Sequence, residues 1–299
     1  MTPEKKNIWK KLNKFFTHTK KATEKPLVPE PSPVPAPSQT PDTYLCNPKP
    51  AKGKFTSRYK LGERLGGGGF GTVFEGIRKS DGKKVAIKIV KKMPVNNRIE
   101  VPGHPKPLVT EIGFNVLLSK HPRCPYVLPM YQWYNEPKRR ILVLEHPHPC
   151  ETLSSFMMRN GGRLSEAMAR DLIIQALRGA KHCLERGVFH QDINLNNLLI
   201  NTETLRLKII DFGVGQHVDT SVDINELLGK PSPFEFSKRC RYNAELTTVW
   251  DLGTVLYEML HGYHPRSEEG CKKKFHPSLS KVPEPQQNVE TVCTADHRP

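Results

Sequence analysis

Four groups of residues along this chain of 299 could do chemistry. Gly66-Gly67-Gly68-Gly69-Phe70-Gly71-Thr72-Val73 is a glycine-rich run, and Val85-Ala86-Ile87-Lys88 sets one lysine among apolar neighbours. His190-Gln191-Asp192 follows with Asn197 beyond it, and Asp211-Phe212-Gly213 closes the series. Glycines leave backbone N–H groups free to approach a phosphate. A lysine in an apolar strand needs an anion, because an unpaired buried cation is costly. Glu111 can provide that anion and hold the ammonium toward phosphate. Asp192 can accept the proton of a hydroxyl nucleophile, while Asn197 and Asp211 offer the oxygen ligands that Mg²⁺ prefers. In this order the groups supply what phosphoryl transfer from ATP requires.

The elements that must position these groups can be read from periodicity. Tyr59–Leu65, Thr72–Arg78 and Lys84–Val90 read as strands, with Ser80-Asp81-Gly82 as the turn between the second and third. The glycines therefore sit at a hairpin tip. A dinucleotide fold would instead open into a helix, and no Gly-Lys-Ser/Thr follows for a P-loop. Val109–Ser119 reads as a helix carrying Glu111, and Ile141–Leu144 as a further strand. Ser165–Glu185 is a long helix with apolar positions at Ala169, Leu172, Ile173, Ala176, Leu177 and Ala180, capped by Ser165 and stopped by Gly187. Leu198–Ile200 and Leu207–Ile210 make a short hairpin between Asn197 and Asp211. Thr247–His261 is the last helix, with Val249, Leu252, Leu256, Met259 and Leu260 as its expected buried stripe.

Composition separates tails from core. The apolar share is 36%, low for a wholly globular chain. There is no apolar run long enough to span a bilayer and no apolar core of a secretory signal. Seven scattered cysteines read as free thiols, so a cytoplasmic or nuclear location is expected. His146-x-His148-x-Cys150, interleaved with prolines, reads as an extended linker rather than a metal site. Within a net charge of +16, residues 1–25 carry eight Lys against two Glu. There Ile8, Trp9, Leu12, Phe15 and Phe16 fall on one helical face. Residues 5–21 thus read either as a segment for an anionic membrane surface or partner groove, or as a solvated tail. Nucleic acid is not an expected partner, since no recognition module accompanies the charge. Residues 26–58 read as a proline-rich disordered linker, with nine prolines in 26–50. Folding is expected from Tyr59 to about residue 264, and 265–299 reads as a disordered tail.

On these motifs the segment 59–264 resembles a eukaryotic protein kinase. It is similar, more narrowly, to the PIM serine/threonine kinases. The narrower likeness rests on Gly69-Phe70-Gly71-Thr72-Val73-Phe74-Glu75-Gly76-Ile77-Arg78, Leu144-Glu145-His146-Pro147-His148-Pro149 and Val249-Trp250-Asp251-Leu252-Gly253. In that family the strip joining the lobes has a proline where others donate an N–H to adenine, and Pro147 fits the place. The resemblance implies an α+β, bilobal fold with a β-rich N-lobe (59–146) and an incomplete, mainly helical C-lobe (147–264). It implies ATP and Mg²⁺ as cofactors, protein substrates, and a monomer. Asp192 becomes the base, and Lys88 and Glu111 the ion pair. Leu65, Gly66–Val73, Ala86, Leu144 and Glu145 become the nucleotide contacts, and Asn197 and Asp211 the metal ligands.

The likeness has gaps. Gln191 replaces the Arg that meets a phosphorylated loop, so loop phosphorylation at Thr220, Ser221 or Ser232 is not expected to switch activity. Asn194 replaces a Lys that touches the transferred phosphate. Leu195, Asn196, Thr152 and Ser155 replace acids that select basic peptides. Gly229 to Glu235 is two residues short, Lys230 stands where a Thr supports the base, and Thr248 replaces an acid at the last helix. Helices expected beyond His264, with an Arg for Glu235, are not recognisable. A nucleotide-binding scaffold without transfer is therefore the competing expectation.

Overall fold

The structure, a computed structural model, describes residues 48–69, 71–93, 97–218 and 244–267. The amphipathic segment, Phe70, and the stretch holding Thr220, Ser221, Gly229, Lys230, Ser232 and Glu235 lie outside those residues.

The first half runs β1 (Lys49–Pro50), α1 (Phe55–Arg58), β2 (Tyr59–Gly68), β3 (Gly71–Arg78), β4 (Lys84–Lys91), β5 (Arg98–Ile99), β6 (Leu108–Val109), α2 (Thr110–Leu118), β7 (Met130–Asn135) and β8 (Arg139–Glu145). Six strands form one sheet in the order β1-β7-β8-β4-β3-β2. All neighbours are antiparallel except β1 and β7. Strand alternation divides β4 between the two faces. Val85 and Ile87 pack outward with Phe55, Tyr59, Tyr131 and Tyr134. Leu142 of β8 packs on the inner face with Ile112 and Val116 of α2. Lys88, offset by one from Ile87, takes that inner face, and its cross-strand neighbour is Leu142. Gly113 lets α2 come close, since a Cβ there would lie 2.5 Å from Ile99 Cγ1.

The second half adds β9 (Cys150–Thr152), α3 (Leu153–Arg159), α4 (Glu166–Glu185), β10 (Val188–Phe189), a 3₁₀ turn (Leu195–Asn197), β11 (Leu198–Asn201), β12 (Leu207–Ile209), β13 (Gln216–His217) and α5 (Ala244–His261). The expected apolar face of α4 is buried throughout, together with Leu252, Val255 and Met259 of α5. Ser165 caps α4 by accepting from Met168 N at 3.3 Å, and Gly187 follows the helix with φ +73°. A β-rich lobe and a helical lobe together make the bilobal kinase fold.

Three expectations need correction, and one strand, β7, has no counterpart among them. The folded chain starts before Tyr59: β1 pairs with Gln132 and Trp133, Ala51 N donates to Trp133 O at 2.8 Å, and the buried Phe55 stacks on Tyr59. Pro50 is tolerated there because an edge strand need not use its N–H. Strand β7 carries no alternation, because both its faces are covered and five of its six residues are buried. Its Gln132 is satisfied by a hydrogen bond to Tyr59 Oη. The last helix begins at Ala244 rather than Thr247, so Thr248 sits inside it and donates from Oγ1 to Ala244 O at 2.7 Å. The buried face of α5 is then Thr248, Leu252, Val255 and Met259, while Val249, Leu256 and Leu260 of the expected stripe are only partly buried.

Candidate active site

Pairing register brings the glycine run to the lysine strand. Gly66, Gly67 and Gly68 pair with Val73, Thr72 and Gly71, and Val73 and Thr72 pair in turn with Lys88 and Ile89. The backbone at Gly71 has φ +133°, and a Cβ there would lie 2.7 Å from Ile89 O. No L side chain fits, so the hairpin can close this tightly on β4 only with glycine. Gly66, Gly68 and Gly69 have open space where a Cβ would be. Leu65 is exposed at the base of the hairpin. Ala86 is buried beside Lys88, opposite Leu144, and Val85 lies opposite Glu145.

Lys88 is the electrostatic centre. Its side chain is 5% exposed, and Nζ lies 2.7 Å from both Glu111 Oε1 and Asp211 Oδ1. Burial works against the ammonium, but the two carboxylates outweigh it and hold its pKa above the ordinary lysine value. Burial pushes Glu111 in the opposite sense to Lys88's attraction, and a neighbouring Asp211 adds to the push. The anion predicted for Lys88 is thus present, and a second, unforeseen one joins it. Its source is local: Asp211 has φ +63°, a conformation that costs a non-glycine residue about 1–3 kcal/mol. The buried Phe212, whose ring lies 5.0 Å from His190, holds the segment in place. Gly213 N donates to Asp211 Oδ1 at 3.0 Å.

The loop after β10 positions the second aspartate. His190 is buried; its Nε2 donates to Ile210 O at 2.8 Å, and Nδ1 accepts from Asp192 N at 3.3 Å. That pair of bonds needs the neutral ring, and burial lowers the His190 pKa accordingly. Each Asp192 oxygen accepts one amide: Oδ1 from Asn194 Nδ2 and Oδ2 from Asn197 Nδ2, both at 2.7 Å. Asn194 Oδ1 meanwhile accepts from Asn196 N at 2.9 Å and Asn197 N at 3.2 Å, capping the 3₁₀ turn. Ile210 N donates to Asn197 O at 3.0 Å, which ties the Asn197 loop to the Asp211 segment.

Sequence reasoning missed four contributors. Asn194 reads as a lost lysine, yet it orients Asp192 and caps the loop. Thr152 reads as a lost acid, yet it N-caps α3 by accepting from Ser155 N at 3.2 Å. Lys208 pairs with Glu145 at 2.9 Å, a contact made by folding alone. Asp251 has a buried Oδ2 without a hydrogen-bond partner among the described residues. Burial first, and the Asp192 charge second, push its pKa up to about 7. Only Asn194, as a turn-capping residue three before Asn197, left a readable signal.

A glycine hairpin paired onto the strand of a lysine clamped by two carboxylates, with an anchored aspartate whose loop is tied to the Asp211 segment, defines a nucleotide-dependent phosphotransferase architecture. The comparisons agree with it. Residues 59–296 match the protein kinase domain, and the chain belongs to that family. The match runs past the boundary expected near residue 264. The chain is 34% identical over 243 residues to serine/threonine-protein kinase pim-2 of Danio rerio, covering 79% of this chain and 78% of that protein. It is 31% identical over 229 residues to serine/threonine-protein kinase prk-2 of Caenorhabditis elegans, covering 75% and 50%. CBL-interacting serine/threonine-protein kinase 8 of Arabidopsis thaliana is 30% identical over 214 residues, covering 71% and 46%. The chain thus spans about half the length of the last two.

Proposed function

We propose that this chain is a PIM-like serine/threonine protein kinase that moves the γ-phosphate of ATP to hydroxyls of protein substrates. The observation that carries the reading is the pair of oriented groups: Lys88 held between Glu111 and Asp211, and Asp192 held by two amides. The substrate hydroxyl loses its proton toward Asp192 as its oxygen attacks the γ-phosphorus, and ADP leaves with the former bridging oxygen. Lys88 orients the α- and β-phosphates, and the glycine hairpin covers them.

The residues present fit a divalent cation. One ammonium faces two carboxylates, leaving a surplus negative charge, and the carboxylate and carboxamide oxygens of Asp211 and Asn197 are the hard donors Mg²⁺ takes. Bound there with the nucleotide, the ion would neutralise phosphate charge. The PIM-like character rests on Pro147, which has no N–H for adenine, and on the relatives named above. The free thiols of Cys124, Cys150 and Cys183 suit a reducing compartment, cytoplasmic or nuclear, and we infer a monomer.

A second reading, nucleotide binding without transfer, is favoured by Asn194, which brings no cation to the phosphate. Mg²⁺-dependent transfer from ATP to a panel of serine and threonine peptides decides between them, with Asp192→Asn as control. Transfer well above the control is expected. Nucleotide binding with transfer no greater than the control would replace the kinase reading with the scaffold.

A further inference from the structure

The strip that joins the two lobes has little structure of its own. Residues 146–149 lie in neither helix nor strand, and Pro147 and Pro149 bring no N–H to hold it. Its anchorage comes from the β11–β12 hairpin. Asn201 Nδ2 donates to Pro147 O at 3.1 Å, and Thr202 N donates to Pro149 O at 3.1 Å. Lys208 Nζ stands 2.9 Å from Glu145 Oε2 and donates to Pro125 O at 3.2 Å. Glu145 Oε2 is buried without a hydrogen bond among the described residues, so the ammonium holds it through charge. Just past the strip, Cys150, Glu151 and Thr152 pair with Asn201, Ile200 and Leu199.

Asn201 serves two structures with one amide. Its Oδ1 accepts from Glu203 N at 3.2 Å, Thr204 N at 2.8 Å and Thr204 Oγ1 at 2.9 Å, which closes the turn between β11 and β12. Two backbone donors face Oδ1 and a carbonyl faces Nδ2, so its partners fix the amide's orientation. The turn end of this hairpin thus grips the strip, while its open end carries the two expected metal ligands. Asn197 directly precedes β11, and Asp211 follows two residues after Ile209 closes β12. Resting on the reading of this site as an ATP site, we propose that Asn201 and Lys208 are positioning residues for the nucleotide base. They keep Glu145 and Pro147 in register with Asn197 and Asp211, so one short element sets where the base sits relative to the phosphates. A strip held this way is pre-organised and needs no ordering when the base arrives. Both residues act through the strip, so losing either should weaken the hold on the base and spare the hold on the phosphates.

The test is calorimetric binding of ATP and of inorganic tripolyphosphate to the full chain with Mg²⁺, beside steady-state kinetics. Asn201→Asp keeps an acceptor for Glu203 N and Thr204 N but sets a carboxylate against Pro147 O. Lys208→Met keeps the apolar stem and leaves Glu145 Oε2 without its cation. Each should raise Kd and KM for ATP about fivefold to tenfold, the scale of one lost hydrogen bond or ion pair. Tripolyphosphate affinity and kcat at saturating ATP should change about twofold or less, the mark of a lost binding contact rather than a lost transition-state one. Lys208→Arg should recover most of the parental affinity. Thr204→Val removes only the Oγ1 bond to the same turn, and should leave ATP affinity at the parental value. Equal losses for ATP and tripolyphosphate would make the effect a general loosening and overturn the proposal. Thr204→Val matching Asn201→Asp would overturn it too, as would variants that bind ATP like the parent. A parent that binds no ATP would overturn the reading of the site along with the proposal, which keeps the two failures apart.

Discussion

Asp251→Asn should make the domain more stable, and increasingly so as pH rises. Asp251 lies in α5 beside the buried Thr248 and Leu252; its Oδ2 is buried without a hydrogen-bond partner among the described residues, and its pKa is pushed from 3.8 up to about 7. The unfolded chain releases this proton near 3.8, while the folded chain keeps it to about 7. Between those values the folded state binds the extra proton, so this group's contribution to stability falls as pH rises and levels off above about 7. Three units at about 1.36 kcal/mol each set a ceiling near 4 kcal/mol. The carboxyl is only partly buried, and solvent screening brings the total to ~2 kcal/mol. Asparagine keeps the shape and has no proton to lose. Chemical denaturation of parent and variant should show the advantage of Asn growing by about 1–1.5 kcal/mol from about pH 5 to about pH 8, or ~3–5 °C in midpoint. A difference that stays constant across that range, or shrinks, would refute the argument that the folded protein holds the Asp251 proton up to about pH 7.

Three further outcomes follow from the geometry. Lys88→Met leaves Glu111 and Asp211 facing each other without a cation, and kcat for phosphate transfer should drop on the order of 10²–10³-fold, read by steady-state kinetics. Asn194→Lys restores a cation worth roughly 10²-fold in rate but removes the cap on Asn196 and Asn197, worth about 1 kcal/mol. Because Asn197 still holds Asp192, the gain should win: kcat rises while the unfolding midpoint falls by ~2–4 °C, and an unchanged or lower kcat would contradict this. Gly76→Ala places a Cβ that would overlap Ile87 Cδ1 in the outer core, and denaturant titration should show a loss of about 1–3 kcal/mol.

Much of this was legible in the sequence because each signal was local. Apolar, β-branched runs bounded by turn residues gave β3 and β4, period-3.6 patterning gave α4, and Ser165 and Gly187 marked its ends. Lys88 announced its own partner, since an apolar strand tolerates an ammonium only beside an anion. What stayed hidden was set by tertiary context. Strand β7 is covered on both faces and so has no period to read. The β1 edge has the proline content of a linker, and the burial of Phe55 depends on Tyr59 and Tyr134, contacts that only the fold creates. The second carboxylate on Lys88 depends on the left-handed backbone of Asp211, which an Asp-Phe-Gly triplet alone does not reveal.

The departures from the kinase pattern share one physical logic. Thr152 and Asn194 stand where related kinases carry charge, and Thr248 where they carry an acid. Each now bonds to its own backbone: Thr152 to Ser155 N, Asn194 to Asn196 and Asn197 N, Thr248 to Ala244 O. Short polar side chains do this well: Thr152 and Asn194 satisfy N–H groups that helix and turn starts otherwise leave unpaired, and the bond of Thr248 satisfies its own buried hydroxyl. The scaffold therefore keeps its local hydrogen bonding after the charges are gone. Charges that can be lost without unsatisfying the fold were serving something outside it: a phosphate in the case of position 194, a basic peptide in the case of position 152. On that reasoning the buried ion cluster at Lys88 and the anchored Asp192 define the nucleotide half of the reaction. The altered positions touch both halves, position 152 on the acceptor side and position 194 beside the transferred phosphate, so both substrate choice and transfer rate are where this chain should part from its relatives.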